Sequence, residues 1–168
     1  MIDRGALVLA PTEGTPYAGL RRKPLDGLAW TGRKGKDLAR SYAQRIVEGD
    51  GVLDDLDDAI ALRDAARAMG FADVDVVVFA VPQTPWNPKA LPVAEEPPAD
   101  DLEFLGWDVV EPMEPWDSPL AKAGHGEAVN ARGLLADRSA AERLAARVEA
   151  ETPGDEPWVA VRVWRVRG

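Results

Sequence analysis

The stretch GVLDDLDDAIALRDAARAMGFADVDVVVFAV, residues 51–81, decides the fold because it predicts a turn, a helix and a strand in that order. Asp55 would cap the helix, acidic residues would fill its first turn, and Gly70 would end it. Four apolar residues at helical spacing predict the buried face: Ala59, Leu62, Ala66 and Met69. Residues 74–81 are apolar and β-branched almost throughout, which predicts a strand covered on both faces or lying at the centre of the sheet.

The same order recurs at residues 133–166, which suggests an internal duplication. Shifting the numbering by 82 places five residues on identical ones, namely Gly51, Leu53, Asp55, Ala59 and Leu62 on Gly133, Leu135, Asp137, Ala141 and Leu144. Lengthening the loop by three residues then aligns the strand valines and makes Val78 equivalent to Val163. A short match between two alanine-rich helices can also arise by chance, so both readings stay open.

A proline-rich segment separates the two copies. Its six prolines exclude a helix or a sheet interior and are Pro82, Pro85, Pro88, Pro92, Pro97 and Pro98. We therefore expect a first α/β half at 1–81, a connector at 82–101 and a second α/β half at 102–168. The predicted fold class is α+β, with two similar β-loop-α-β halves packed as one compact domain.

Shorter patterns place the remaining elements. Apolar runs predict strands at 5–10, 102–111 and 158–166, and a further helix follows Asp37. Arginines on both faces of the last strand predict that it lies at an edge or that one end reaches solvent. In the second helix, a capping box and an apolar stripe are predicted from Ser139, Glu142, Ala141, Leu144, Ala145 and Val148.

Composition narrows the functional classes. The chain has 168 residues, of which 46% are hydrophobic and 29% charged, as in soluble globular proteins. It lacks cysteine, a membrane-spanning apolar run and a secretory signal pattern, so we expect a cytoplasmic protein without disulfides, thiol catalysis or cysteine-ligated zinc.

Charge is distributed unevenly along the chain. Residues 1–50 carry nine Lys/Arg and six Asp/Glu, a balance of +3, whereas residues 51–168 carry eleven and twenty-three, a balance of −12. A net charge of −9 repels phosphate backbones, which argues against nucleic acid, and it attracts a basic protein partner. The alternative is that this charge only keeps the protein soluble.

The sequence motifs that would indicate catalysis or metal binding are weak. The basic loop at 21–36 lacks the spacing of a phosphate loop, and the aspartates at 54–58 run into a helix instead of forming a calcium loop. His125 stands between glycines without a second ligand-type residue beside it, so we expect a partly exposed and dispensable loop residue. We therefore predict no metal site, no cofactor and no assigned catalytic residue.

The best candidate contact lies in the loop after the third strand. Glu111, Glu114 and Asp117 surround Trp116, which combines charges that steer a partner with a ring that can anchor it. The alternative is that Trp116, like Trp86 in the connector, folds back onto the core.

Short motifs in the second half carry a family resemblance. Leu105-Gly106-Trp107-Asp108-Val109, Asn130-Ala131-Arg132-Gly133-Leu134-Leu135 and Pro157-Trp158-Val159 resemble motifs of small uncharacterised bacterial proteins of the immunity or interaction type. The resemblance covers roughly the last 65 residues. It implies an interaction role in bacterial conflict systems, and it brings no catalytic residues.

Three functions follow as hypotheses. The first is a non-enzymatic protein-binding module, most sharply an immunity-like inhibitor whose acidic face masks a partner protein. The second is an enzyme that uses His125 with carboxylates such as Glu127 or Asp108. The third is a structural subunit of a larger assembly that docks through loop tryptophans. The sequence leaves the oligomeric state open.

Overall fold

The computed structural model describes residues 4–9, 37, 56–70, 75–80, 101–111, 118–121, 125–154 and 157–168. Its strands are β1 (Arg4–Leu9), β2 (Asp75–Ala80), β3 (Leu102–Val110) and β4 (Val159–Val166). Its longer helices are α1 (Leu56–Ala68) and α2 (Arg138–Glu151), and a 3-10 helix spans Pro119–Ala121. The predicted α+β class is confirmed. Residues 82–100 of the expected connector lie outside the described residues.

The four strands form one sheet in the order β1-β2-β4-β3, with every neighbouring pair antiparallel. Strand β4 therefore lies in the interior of the sheet, so of the two predicted alternatives the edge position is wrong and the end that reaches solvent is the one observed. Arg167 is exposed beyond the end of the strand, whereas Arg162 and Arg165 are half-buried on opposite faces.

Helix α1 buries the side that its apolar spacing predicts. Ala59, Leu62 and Ala66 are fully buried, but Met69 is 37% exposed, so its predicted place in the core is wrong. The helix ends one residue before Met69, and Gly70 follows with φ +95°, a conformation that glycine adopts without strain. Met69 thus lies past the last helical turn.

Helix α2 begins two residues earlier than the capping-box pattern predicts. Asp137, not Ser139, is the N-cap, because its Oδ1 accepts a hydrogen bond of 2.8 Å from the backbone N–H of Ala140. Glu142 instead pairs with Arg138 one turn away, at 2.7 Å. The predicted apolar stripe is confirmed, since Ala141, Leu144 and Ala145 are buried and Val148 packs against them.

The core continues from α2 into the sheet. Helix α2 covers one face of β3 and β4, which we call the α2 face, and the cluster there includes Trp107, Val109, Leu135 and Leu144. In β2, the consecutive residues 76–78 are buried, which confirms a strand covered on both faces. None of the helices in the described ranges has the length and apolarity needed to cross a membrane.

Candidate functional site

The structure describes only the two ends of the predicted contact loop. Glu111 is half-buried and forms one further β-bridge directly after the end of β3. Glu114, Trp116 and Asp117 lie outside the described residues, as do Trp86 and the basic loop at 21–36.

The far end of this loop is anchored on β3. The Oγ of Ser118 donates a hydrogen bond of 2.5 Å to Oδ1 of Asp108, and the same oxygen accepts one of 2.6 Å from the N–H of Val109. Ser118 in turn accepts a bond of 3.1 Å from the N–H of Leu120. Asp108, which the enzyme hypothesis names, is 0% exposed. Its carboxylate therefore fixes the path of the backbone after the loop.

His125 and Glu127 lie together, but the contact involves the backbone. The N–H of Glu127 donates a hydrogen bond of 3.2 Å to Nδ1 of His125, which closes the turn at Gly126. The Glu127 carboxylate lies 3.5 Å from Arg147 and 3.8 Å from Arg143 on α2. His125 is half-buried. In this arrangement the imidazole holds the turn itself, whereas the Glu127 carboxylate and the backbone carbonyl of His125, which accepts a hydrogen bond from Arg147, tie the loop to α2.

Two of the three motifs quoted for the family resemblance, residues 105–109 and 130–135, touch each other. Strand β3 has a register irregularity between Phe104 and Gly106, and Gly106 adopts φ +144°. A Cβ at this position would lie 2.8 Å from the carbonyl oxygen of Leu135. Beside it, Trp107 and Leu135 exchange two backbone hydrogen bonds of 2.8 Å. Only glycine allows the loop before α2 to pack this closely on the edge of the sheet.

Asn130 closes the same contact with its side chain. Its Nδ2 donates a hydrogen bond of 2.8 Å to the carbonyl oxygen of Leu105. Its Oδ1 accepts bonds from the N–H groups of Arg132 and Leu134, at 2.9 and 3.2 Å. One amide thereby satisfies three backbone groups that would otherwise lose hydrogen bonds on burial. These motifs are structural in this chain, and they shape the edge from which the contact loop departs.

The face opposite to α2 carries charges, which we call the ion-pair row. Glu103 on β3 pairs with Arg132 at 3.3 Å and with Arg165 on β4. Arg165 lies 3.8 Å from Asp75 on β2, and Asp75 lies 3.3 Å from Arg67 on α1. The row therefore connects three strands and a helix. All of its members are about one-quarter to one-third exposed, so solvent screens each pair.

The ion-pair row makes stability depend on pH. The hydrogen bond from Arg165 and the nearby guanidinium charges hold the pKa of Glu103 below its ordinary value of 4.5, although partial burial opposes this. A depressed pKa means that Glu103 stabilises the folded state above pH 4.5 and that this contribution disappears as the pH falls through the folded pKa. We expect Glu103→Gln to lower the urea midpoint at pH 7, and we expect this loss to shrink as the pH is lowered below 4.5 and through the folded pKa of Glu103. A loss that stays equal as the pH is lowered, or the same pH dependence in an Arg165→Gln background, would contradict this cause.

On the α2 face, Arg162 lies among aromatic rings, a contact that the sequence did not predict. Arg162 has its Cζ 5.0 Å from the ring centre of Trp107 and 5.9 Å from that of Phe104. Phe104 meets Trp107 and Trp164 edge-on, at 6.4 and 6.3 Å between centroids. Phe104 is 48% exposed, so one side of this cluster faces solvent. We call these four residues the aromatic–arginine cluster.

A groove of about 390 Å³ adjoins the cluster between α2 and the start of β4. It is lined by Trp107, Arg138, Glu142, Ala145, Ala146, Glu149, Trp158, Val159 and Ala160. Tryptophan rings and small side chains dominate it, which suits an apolar group.

Within the part of the chain that the structure describes, no three histidine or carboxylate side chains converge in a way that would hold a metal ion. A scan against protein-family profiles and searches of curated proteins and of solved structures found no match to this chain.

Proposed function

We propose that this chain is a non-enzymatic protein-binding module of the cytoplasm, most sharply an immunity-like inhibitor whose acidic face masks a basic site on a partner protein. The family resemblance of the second half and the balance of −12 over residues 51–168 support this proposal. Acidic side chains around an aromatic anchor increase the association rate with a basic partner, and the anchor supplies affinity.

The observation that carries the proposal is the fixed spacing of the contact loop's ends. Glu111 continues the bridges of β3, and Ser118 is held by Asp108 on the same strand. Only the six residues 112–117 lie between these fixed positions. A short segment with both ends fixed loses less conformational entropy on binding than a free one, which favours affinity.

Trp116→Ala tests the proposal. We expect it to weaken binding to the partner by about 2 kcal/mol because a buried aromatic anchor is lost. Neutralising Glu111, Glu114 and Asp117 together should instead flatten the salt dependence of the association rate. The measurement is a titration against the product of the neighbouring gene, run beside a thermal melt of each variant. Unchanged affinity with a large loss of stability would place Trp116 in the core and remove this loop from the site.

The same partner separates the proposal from its alternatives. An inhibitor must bind the neighbouring gene's product and protect cells that express it. An enzyme that uses His125 would lose all function in His125→Ala while staying folded. A subunit of an assembly would be oligomeric without any partner, so sedimentation of the purified chain would reveal it.

We further propose that the two β-loop-α-β halves arose by duplication. The shift of 82 places α1 on residues 138–150, and α2 is Arg138–Glu151. Three of the four buried residues of α1 also fall on buried residues of α2, since Ala59, Leu62 and Arg63 correspond to Ala141, Leu144 and Ala145, whereas Ala66 falls on the half-buried Val148. Equal burial at equal positions supports a common origin for the helices.

The strands require a different offset from the one that the sequence suggests. Val78 pairs with Trp164 and Phe79 pairs with Val163, so Val78 and Val163 point to opposite faces of the sheet. A two-fold axis perpendicular to the sheet would keep equivalent residues on one face, so the duplication requires an even strand offset, such as 86 (164 − 78) or 84 (163 − 79), instead of 85. Sequences of relatives test the duplication. If the two halves of relatives have no matching residues at the five matched positions, the proposed duplication is wrong.

A further inference from the structure

The aromatic–arginine cluster contains a cation without an acidic partner. Arg162 makes no ion pair with any described carboxylate, and its Nε is buried without a hydrogen-bond partner in the described part of the chain. Its guanidinium is held by ring contacts to Trp107 and Phe104. Ring contacts remove water from a guanidinium, but they do not neutralise its charge or satisfy its N–H groups.

The other arginines near the sheet differ from Arg162 in this respect. Those on β4, α1, α2 and the loop before α2 each lie within 4.0 Å of a carboxylate and include Arg63, Arg67, Arg132, Arg138, Arg143, Arg147 and Arg165. Arg167 also makes no ion pair within the described ranges, but it is exposed beyond the sheet. Arg162 is thus half-buried and, unlike these seven arginines, has no carboxylate partner among the described residues.

The charged side chains that line the groove beside the cluster already make contacts within the protein. Arg138 pairs with Glu142 at 2.7 Å, and Oε2 of Glu149 accepts a hydrogen bond of 3.1 Å from the N–H of Trp158. The exposed Ala146 leaves room above the groove. The groove therefore offers shape and apolar surface, and the cation beside it that lacks a carboxylate partner among the described residues is Arg162.

Trp107 makes the groove and the cluster one surface. It lines the groove, and its ring contacts Arg162 and Phe104. Along β4 the surface runs from Trp158 to Arg162, four residues or about 13 Å, because Trp164 beyond it is only 2% exposed. That length matches an extended peptide segment of about four residues.

We propose that this surface is a docking site for a segment of a protein partner that carries an apolar side chain for the groove and a carboxylate for Arg162. The inference rests on the proposed protein-binding function and names the chemistry of the bound segment. It is compatible with a partner of positive net charge, since long-range attraction depends on the whole partner and the contact at Arg162 depends on one carboxylate.

The first experiment uses two small probes, N-acetyl-phenylalanine and its neutral amide. Both carry a ring for the groove, but only the acid carries a carboxylate. We expect the acid to bind about fivefold more tightly than the amide, a ratio typical of a partly screened ion pair. The readout is the indole N–H signals of Trp107 and Trp158 in an NMR titration. Equal affinities, shifts elsewhere in the spectrum, or no binding at about 20 mM would overturn the proposal.

Two variants with matched controls assign the roles. Arg162→Gln should abolish the preference for the acid, whereas Arg167→Gln removes the same charge outside the surface and should keep it. Ala146→Leu should fill the groove and weaken both probes, whereas Ala150→Leu on the same helix should not. The spectra also show whether each variant stays folded. A preference for the acid that survives in Arg162→Gln would overturn the assignment of the carboxylate site.

The partner assay keeps this inference separate from the proposed function. If the neighbouring gene's product binds the wild-type protein and Arg162→Gln with equal affinity, the docking surface is wrong and the binding function stands. If that product binds neither protein but the acid probe still selects Arg162, the surface stands and the assumed partner is wrong.

Discussion

Gly106→Ala should lower the free energy of unfolding by about 3 kcal/mol. The residue adopts φ +144°, which L-residues with a side chain rarely adopt. The added methyl group would lie 2.8 Å from the carbonyl oxygen of Leu135 and 2.9 Å from the Cβ of Leu134. Backbone strain and the close contact each contribute of the order of 1–3 kcal/mol. Urea unfolding monitored by tryptophan fluorescence measures the loss.

Gly70→Ala is the matched control for this substitution. Gly70 also has a positive φ, of +95°, but nothing lies within 4 Å of the position that a Cβ would take. It should therefore lose only the conformational part, about 1 kcal/mol. The difference between the two variants isolates the close packing of the loop on β3. Equal losses would mean that the loop yields to the methyl group without cost.

Asn130→Ala should cost roughly 2–3 kcal/mol of unfolding free energy. The substitution removes the donor to Leu105 and the acceptor of the N–H groups of Arg132 and Leu134. Leu105 and Leu134 are buried, so water cannot easily replace the lost bonds. Asn130→Asp keeps the acceptor and loses the donor, so its loss should be smaller than that of alanine. An alanine variant as stable as the wild type would show that water replaces the amide.

The losses of unfolding free energy caused by Gly106→Ala and Asn130→Ala should not be additive. Gly106 and the side chain of Asn130 hold the same loop, and Nδ2 of Asn130 would lie 3.0 Å from a Cβ at position 106. Once either contact is broken, the other has less to stabilise, so the double variant should lose less than the sum. Urea unfolding of the double variant, beside the two single variants, measures this coupling. Simple additivity would indicate two independent structural roles.

Helices were predictable from this sequence because their period is local. The spacing of Ala141, Leu144 and Ala145 directly reports which side of α2 is buried. The residue at which α2 begins was not predictable, because Asp137 and Ser139 are both good N-caps. The choice between them depends on which side-chain oxygen reaches the N–H of Ala140. Met69 shows the same limit at the other end of a helix, because one residue decides whether a side chain still lies on the buried stripe.

The sheet and the candidate surface could not be derived from local pattern. The interior place of β4 depends on pairing between Val78 and Trp164, residues that lie 86 positions apart (164 − 78). Strict alternation would also place Phe104 and Trp107 on opposite faces, because three positions separate them. The irregularity between Phe104 and Gly106 brings both rings to the same face, where they meet Arg162. A sequence pattern carries no direct signal for such a bulge except the glycine itself.

The place of β4 between β2 and β3 also determines when the sheet can be completed on the ribosome. Both β2 and β3 are synthesised before β4, yet each pairs with β4 and not with the other. Until residues 159–166 have left the exit tunnel, each of these apolar strands therefore keeps one hydrogen-bonding edge open. Open edges of this kind favour pairing with other nascent chains. Premature termination before β4 would thus yield an aggregation-prone product, and chaperone dependence should be greatest after β3 has emerged and before β4 has.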